Sequence, residues 1–222
     1  NEEIIRTMEG KPDAGINRVY WDLRYDDPAE PRLRTKPPGR DWVEFNKEGW
    51  RDLRSWDLDL VAGQRGPRVS PGFYTIRLKI GDRTYTETVE ILKDPNSEGT
   101  LGDIKRQEQF ALTLRDALNQ TVGLINDIEI YRKNLDVAMS GFKKSKQQAE
   151  AQELAEKAFE IASRLYDVNL TGAREDAFRA PMKLYGRLSA LASDINGSGI
   201  DFAPTTQQRD VHELLRDRKS VV

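Results

Sequence analysis

The spacing of apolar residues changes near residue 95 and divides this 222-residue chain into two parts. Before that point the chain has short alternating runs separated by turn residues, and it holds all four tryptophans. After it, apolar residues recur at steps of three and four. Alternation indicates strands with one buried face, whereas three- and four-residue steps indicate amphipathic helices. The chain is therefore predicted to be α+β with two domains, residues 1–98 and 99–222.

Residues 72–92, GFYTIRLKIGDRTYTETVEIL, show the clearest strand pattern. Two alternating runs flank Gly81 and Asp82, which predicts a β-hairpin with a tight turn. Residues 16–25 predict an earlier strand with Val19, Trp21 and Leu23 on its inward face. Three or more such strands can form a stable antiparallel β-sandwich.

Residues 26–69 are predicted to be an insertion in that sandwich, because prolines and glycines interrupt every longer element. The insertion also contains many apolar residues, which argues against a floppy linker. Its tryptophans lie among arginines, and such rings can stack on sugars or anchor a protein interface. The alternative is that they fill the core or a domain interface. The candidate binding residues are Trp42, Trp50, Trp56, Arg51 and Arg54.

The second part is predicted to be an antiparallel bundle of three or four helices. Its apolar stripes predict helices over residues 102–140, 144–168 and 205–218, with a short helical turn at 176–179. A further helix is predicted to open at Pro181, a residue that the first helical turn accepts.

Composition and motifs exclude several kinds of chemistry. The 35 basic and 37 acidic residues nearly cancel, so no global positive field would attract nucleic acid. No apolar run reaches the roughly 20 residues that span a bilayer. The chain lacks cysteine, and its single histidine, His212, cannot build a catalytic triad or a multi-histidine zinc site. No catalytic residue, metal site or cofactor is predicted.

A glycosidase is the remaining catalytic hypothesis, since glycoside hydrolysis needs only two carboxyl groups at a defined separation. Asp22 paired with Asp57 or Asp59 would be the candidates. Acidic residues are common in this chain and nothing in the sequence defines their separation, so solvated turn positions are the favoured interpretation.

Residues 5–7, 14–22 and 71–78 resemble the Ig-like module of flagellar hook-capping proteins. They contain an Ile-Arg-Thr strand, an Ala-Gly-x-Asn-x-Val-x-Trp-Asp strand and a Pro-Gly-x-Tyr-x-x-x-Leu hairpin. Together with LTGAREDAFRAPMKLYGRLSALASDINGS further on, the chain is similar to the C-terminal region of exported bacterial proteins. In those proteins a sortilin-like or Asp-box (BNR) β-propeller comes first, and they are described as glycosyl-hydrolase-like or sialidase-like.

The resemblance implies an Ig-like β-sandwich followed by the helical bundle. It also implies a non-catalytic accessory region that caps or orients the propeller of an exported parent protein, because the propeller would carry any hydrolase chemistry. The chain has no Asp-box, so no catalytic residue transfers to it. The implied partner is the propeller of the same protein, with another protein or a glycan as further ligands. The chain is expected to be a mature or excised piece of that periplasmic or extracellular protein, without its signal peptide.

Overall fold

A computed structural model describes residues 3–11, 13–53, 63–141, 145–173, 176–197 and 199–219. Short strands and loops form the first part of the chain, and helices form the second. In chain order the elements are β1 (Arg32–Leu33), β2 (Arg51–Asp52), β3 (Gly72–Ile80), β4 (Arg83–Ile91), α1 (Leu101–Gly141), α2 (Ser145–Leu165), α3 (Asp176–Arg179), α4 (Leu184–Gly197) and α5 (Thr206–Lys219).

The predicted Ig-like sandwich is wrong. The described residues form two separate antiparallel sheets of two strands each, β1–β2 and β3–β4, and no second layer of strands covers either. The strand expected at residues 16–25 is absent from the structure, where a single bridge joins Arg24 to Arg68. Alternation allows a strand to form, but a strand also needs a neighbouring edge. Leu23 instead adopts a left-handed backbone conformation with φ of 58° and bends the chain.

The hairpin β3–β4 forms as the sequence predicts. Its nine-residue strands pair in register from Gly72 with Ile91 to Ile80 with Arg83. Gly81, with φ of 56°, is the first residue of the two-residue turn, a position that requires positive φ.

Helix α1 is the longest element, with 41 residues. Thr100 caps its start: the Thr100 Oγ1 accepts from the Asp103 N–H at 3.1 Å, and the Asp103 carboxylate accepts from the Thr100 N–H at 3.1 Å. The Thr100 hydroxyl and then the Thr100 N–H donate to the Asp103 carboxylate, and these two hydrogen bonds, together with the Arg106 guanidinium, lower the pKa of Asp103. The apolar stripe of α1 follows the three- and four-residue steps and is buried at Ala111, Leu114, Leu118, Val122 and Ile125.

The core lies between α1 and the helices that pack on it. Helix α1 contacts α2 and α4, and α4 contacts α5. The observed bounds of α1, α2 and α5 differ by no more than three residues from those predicted. Helix α4 begins at Leu184, three residues after the predicted start at Pro181. Residues such as Leu165, Leu188 and Leu215 fill the space between the helices.

Residues before the helical part share this core. Leu33 is fully buried against the helices, and Leu53 joins the same cluster. The predicted domain boundary at 98/99 stays a prediction, but part of the 26–69 insertion is packed on the helices rather than on a sandwich.

Extended chain runs alongside α1 over residues 25–34. Nine steps of about 3.3 Å give roughly 30 Å of extended chain. The 21 helical steps from residue 108 to residue 129, at 1.5 Å each, give about 32 Å. Because the two lengths match, polar side chains of the helix meet the extended chain in order. The pairs are Tyr25 with Glu108, Ala29 with Asn119, Arg32 with Asn126, and Arg34 with Glu129.

Candidate interaction surfaces

A buried carboxylate, Glu129, joins the insertion to two helices. Its side chain is 0% exposed and accepts hydrogen bonds from the Arg34 N–H at 2.6 Å and the Thr35 N–H at 2.9 Å. The Tyr166 hydroxyl donates to it at 2.6 Å, and Arg132 Nη1 forms an ion pair with it at 2.6 Å. Burial, and then the negative charge of Glu129, raise the pKa of Tyr166. Glu129 and these partners form the Glu129 centre. Removing any one of them leaves the others buried without a partner, so the centre supports the fold.

Arg51, one of the candidate binding residues, lies beside this centre and is buried. Its Nε donates to the Thr35 carbonyl at 2.9 Å, and its Nη1 donates to the Leu170 carbonyl at 2.7 Å. Burial lowers the pKa of its guanidinium. Arg51 thus ties β2 to the loop after α2.

The insertion tryptophans occupy different environments. Trp42 lies within the turn of residues 40–43, and 64% of its surface is exposed. Trp50 is half-buried: its Nε1 donates to Glu48 Oε2 at 2.8 Å, and the Arg32 guanidinium lies 5.4 Å from its ring centre. Trp56 and Arg54 lie outside the described residues.

A second carboxylate, Glu108, fastens the base of the hairpin to α1. It accepts from the Ser70 N–H at 2.9 Å, from the Ser70 hydroxyl at 2.7 Å and from the Tyr25 hydroxyl at 3.1 Å. The Tyr74 hydroxyl donates to the Ser70 carbonyl at 2.7 Å, and its ring packs edge-on against Trp21. Burial and Glu108 raise the pKa values of both tyrosines. The hairpin is thus held at its base.

Beyond this base the hairpin extends into solvent. Alternate residues divide it into a polar face and an apolar face. The apolar face is defined by the exposed side chains Ile76, Leu78, Ile80 and Tyr85, together with Arg83 and Glu87. Exposed apolar groups gathered on one sheet face are a common feature of protein interaction sites.

The N-terminal segment, residues 3–11 and 13–23, is a second exposed apolar surface. Ile16 is 98% exposed and Tyr20 79% exposed. The segment is nevertheless attached to the body of the protein: Arg6 Nη1 donates to the Tyr25 carbonyl at 3.2 Å, and the Asp26 N–H donates to the Ile5 carbonyl at 2.8 Å. Carboxylates of Asp22, Asp26 and Asp27 lie 3.6 to 3.9 Å from the Arg6 guanidinium.

A cleft of about 1030 Å³ opens between the base of the hairpin, the start of α1 and the loop after α4. Acidic and basic side chains line the cleft, among them Arg24, Asp103 and Glu108. Those three are already hydrogen-bonded to protein groups, Arg24 to the Gly66 carbonyl at 2.8 Å. We assign no reaction to the cleft. Asp22 also lines it, but its proposed glycosidase partners, Asp57 and Asp59, lie outside the described residues.

No group of three or more His, Asp or Glu among the described residues is arranged to hold a metal ion. Within those residues, no helix has both the length and the apolar character needed to cross a bilayer. His212 packs edge-on against Phe110, with 5.6 Å between the ring centres.

The hydrogen-bonded groups around Glu129 and Glu108 were not predicted from the sequence, although the sequence contains one signal of the Glu129 group. Glu129 follows Leu118, Val122 and Ile125 at the same helical steps, so a charged residue stands at a core position of the stripe. The partner segment PRLRTKP alternates, with Pro31, Leu33, Thr35 and Pro37 buried. A charge within an apolar stripe indicates a buried partner, but not which distant segment supplies it.

Neither a scan of protein-family models nor searches of curated proteins and of solved structures found a match to this chain. The resemblance to the C-terminal region of propeller proteins stays a prediction.

Proposed function

We propose that this chain is a non-catalytic interaction region that caps or orients the β-propeller of an exported parent protein. The observation that carries the proposal is the N-terminal segment, which exposes Ile16 and Tyr20 while it stays attached to the body through Arg6. Burying one large apolar side chain at an interface is worth about 1.5–3 kcal/mol. An anchored segment also loses less conformational entropy on docking than a free one.

The helical body gives this segment a rigid support. The Arg6 guanidinium reaches three carboxylates, and the chain that follows is fastened to α1 through Glu108 and Glu129. A protein that docks on the segment would therefore be oriented relative to the helices. The choice of a propeller as that partner rests on the sequence resemblance alone.

The test begins with the full-length gene product, which should contain a propeller. That propeller and this chain, produced as separate polypeptides, should associate in isothermal titration calorimetry. Ile16→Glu and Tyr20→Glu should each weaken the association by about tenfold or more, since a buried charge replaces apolar contact. Lys11→Ala, at another exposed position of the segment, is the matched control. A gene product without a propeller, or affinity unchanged by both glutamate variants, would refute the proposal.

A second candidate function is glycan binding at Trp42, favoured by the 64% exposure of this residue. Exposed indole rings stack on sugar faces. Titration of the chain with soluble oligosaccharides should then quench tryptophan fluorescence in the native protein and in Trp50→Phe, but not in Trp42→Ala. Equal quenching in all three proteins, or none in any, would remove this candidate.

A further inference from the structure

The apolar face of the hairpin is an exposed surface for which the described residues provide no cover. Ile76, Leu78 and Ile80 of β3 are 48%, 53% and 60% exposed, and Tyr85 of β4 is 50% exposed. Single exposed apolar side chains are ordinary, but four neighbours on one sheet face are not. The hairpin is also long for a pair of strands that contacts no other helix or strand among the described residues.

The two charges on this face are placed symmetrically. Arg83 and Glu87 lie two residues before and two residues after Tyr85, so all three side chains lie on the same face. Neither charge forms an ion pair with another described residue. Tyr85, midway between the two charges, is paired across the hairpin with Leu78, which lies midway between Ile76 and Ile80. The charged and the apolar residues of this face therefore share one centre.

We propose that the partner of this face is a second copy of the chain, stacked face to face about a two-fold axis through the Leu78–Tyr85 pair. Such an axis reverses the strands and places each row of side chains on the row equally far from the centre. Leu78 and Tyr85 then meet their own counterparts. Ile80 meets Ile76 of the second copy. Arg83 meets Glu87 of the second copy, and the symmetry forms this ion pair twice.

The self-complementarity is what selects a second copy as the occupant. Every apolar residue of the face meets an apolar residue, and each charge meets the opposite charge, as specific interfaces require. A shift by one row of side chains would place Arg83 on Tyr85 in one direction or Glu87 on Tyr85 in the other, and in neither direction would the two charges meet. The polar face lacks this pattern, because Arg77 and Lys79 on β3 are both basic.

The size of the face predicts a weak dimer. A two-stranded sheet of nine residues is about 30 Å long and about 10 Å wide, which gives roughly 300 Å² of flat face per copy. Stable standard interfaces bury about 800 Å² per partner. We therefore expect association at micromolar rather than nanomolar concentrations. This inference is independent of the propeller, since the hairpin and the N-terminal segment are different surfaces.

A charge-swap experiment tests the proposal with the full chain. Sedimentation velocity over about 1 to 300 μM should show a reversible monomer–dimer equilibrium for the native protein. Arg83→Glu and Glu87→Arg should each raise the dissociation constant about tenfold or more, because each places like charges together twice. The double variant R83E/E87R should recover dimerisation. Lys79→Glu, on the polar face of the same strand pair, should leave the equilibrium unchanged.

The charged positions are exposed, so the variants should fold, and circular dichroism checks that they do. Recovery of dimerisation in the double variant would distinguish direct pairing of the two charges from any general effect of altered charge. A chain that is monomeric at all concentrations, which would assign the face to a different protein, overturns the inference. So does a dimer that Arg83→Glu does not weaken, or a double variant that does not recover.

Discussion

Replacing Glu129 by glutamine should destabilise the protein strongly, although the two side chains have nearly the same shape. The carboxylate accepts from Arg34, Thr35, Tyr166 and Arg132, through both of its oxygens. An amide keeps one oxygen and replaces the other by a donor. In either orientation the new NH₂ group points at protein donors. At least two buried donors then lose their acceptor.

The magnitude follows from this count. A buried donor left without a partner costs about 1–3 kcal/mol, and breaking a buried ion pair costs about 3–5 kcal/mol. Because Arg132 is only 11% exposed, its charge cannot recover full solvation. We expect a loss of about 3–5 kcal/mol in the free energy of unfolding. With a urea dependence of about 2–3 kcal/mol per molar for a chain of this size, the unfolding midpoint should fall by about 1–2 M.

Urea unfolding followed by far-ultraviolet circular dichroism measures this change. Glu150→Gln on the exposed surface of α2, where the carboxylate is 64% exposed, is the matched control and should cost less than about 0.5 kcal/mol. Hydrogen exchange should show faster exchange at the Arg34 and Thr35 amides in Glu129→Gln. Combining Glu129→Gln with Tyr166→Phe should cost less than the sum of the single changes, since both remove the same hydrogen bond. A Glu129→Gln protein within 1 kcal/mol of the native stability would refute this account of the insertion.

Three further predictions concern stability. Above pH 10, the ordinary pKa of tyrosine, the free energy of unfolding should fall as pH rises, because folded Tyr166 keeps its proton while the unfolded chain loses it. Tyr166→Phe should make that fall shallower by about 1.4 kcal/mol per pH unit in urea titrations at several pH values, and an unchanged slope would contradict the burial of this hydroxyl. Gly66→Ala should lower the melting temperature by about 4–8 °C or more in calorimetry, because a Cβ would lie 1.9 Å from the Tyr25 carbonyl oxygen; an unaffected melting temperature would be inconsistent with this contact. Leu33→Ala should cost about 2–5 kcal/mol in urea unfolding, whereas Leu101→Ala at an exposed position should cost about 0.5 kcal/mol; equal losses would place Leu33 outside the core.

Local patterns predicted the hairpin and the helices, but not the short strands or the assembly of the first part of the chain. The hairpin and α1 follow from a period of two and from three- and four-residue steps, which any window of ten to twenty residues reveals. The sandwich was wrong because residues 16–25 alternate like a strand yet find no sheet edge among the described residues. Alternation predicts which face a strand would bury. It does not show whether another strand lies beside it to pair with.

For the candidate surfaces as well, the sequence indicated the local residue character but not the surroundings. The sequence indicated that the tryptophan-containing insertion carries apolar side chains and that the hairpin has an apolar face. Sequence reasoning predicted that face to be buried in a sandwich, and the structure exposes it. Arg51 was a binding candidate because it neighbours Trp50, and its contact with the Leu170 carbonyl, 119 residues away, could not be foreseen from its neighbours.

By itself, the sequence determined the helices, the hairpin and the absence of cysteine-based chemistry, because propensity, periodicity and residue type are local properties. Only the tertiary structure decided that residues 25–35 run along α1 and that Glu129 meets the backbone of Thr35, 94 residues away. The physical reason is that a buried carboxylate accepts any donor of suitable geometry. Which donors reach it depends on the matched lengths of the extended chain and the helix, and on the packing of Leu33 in the core between them.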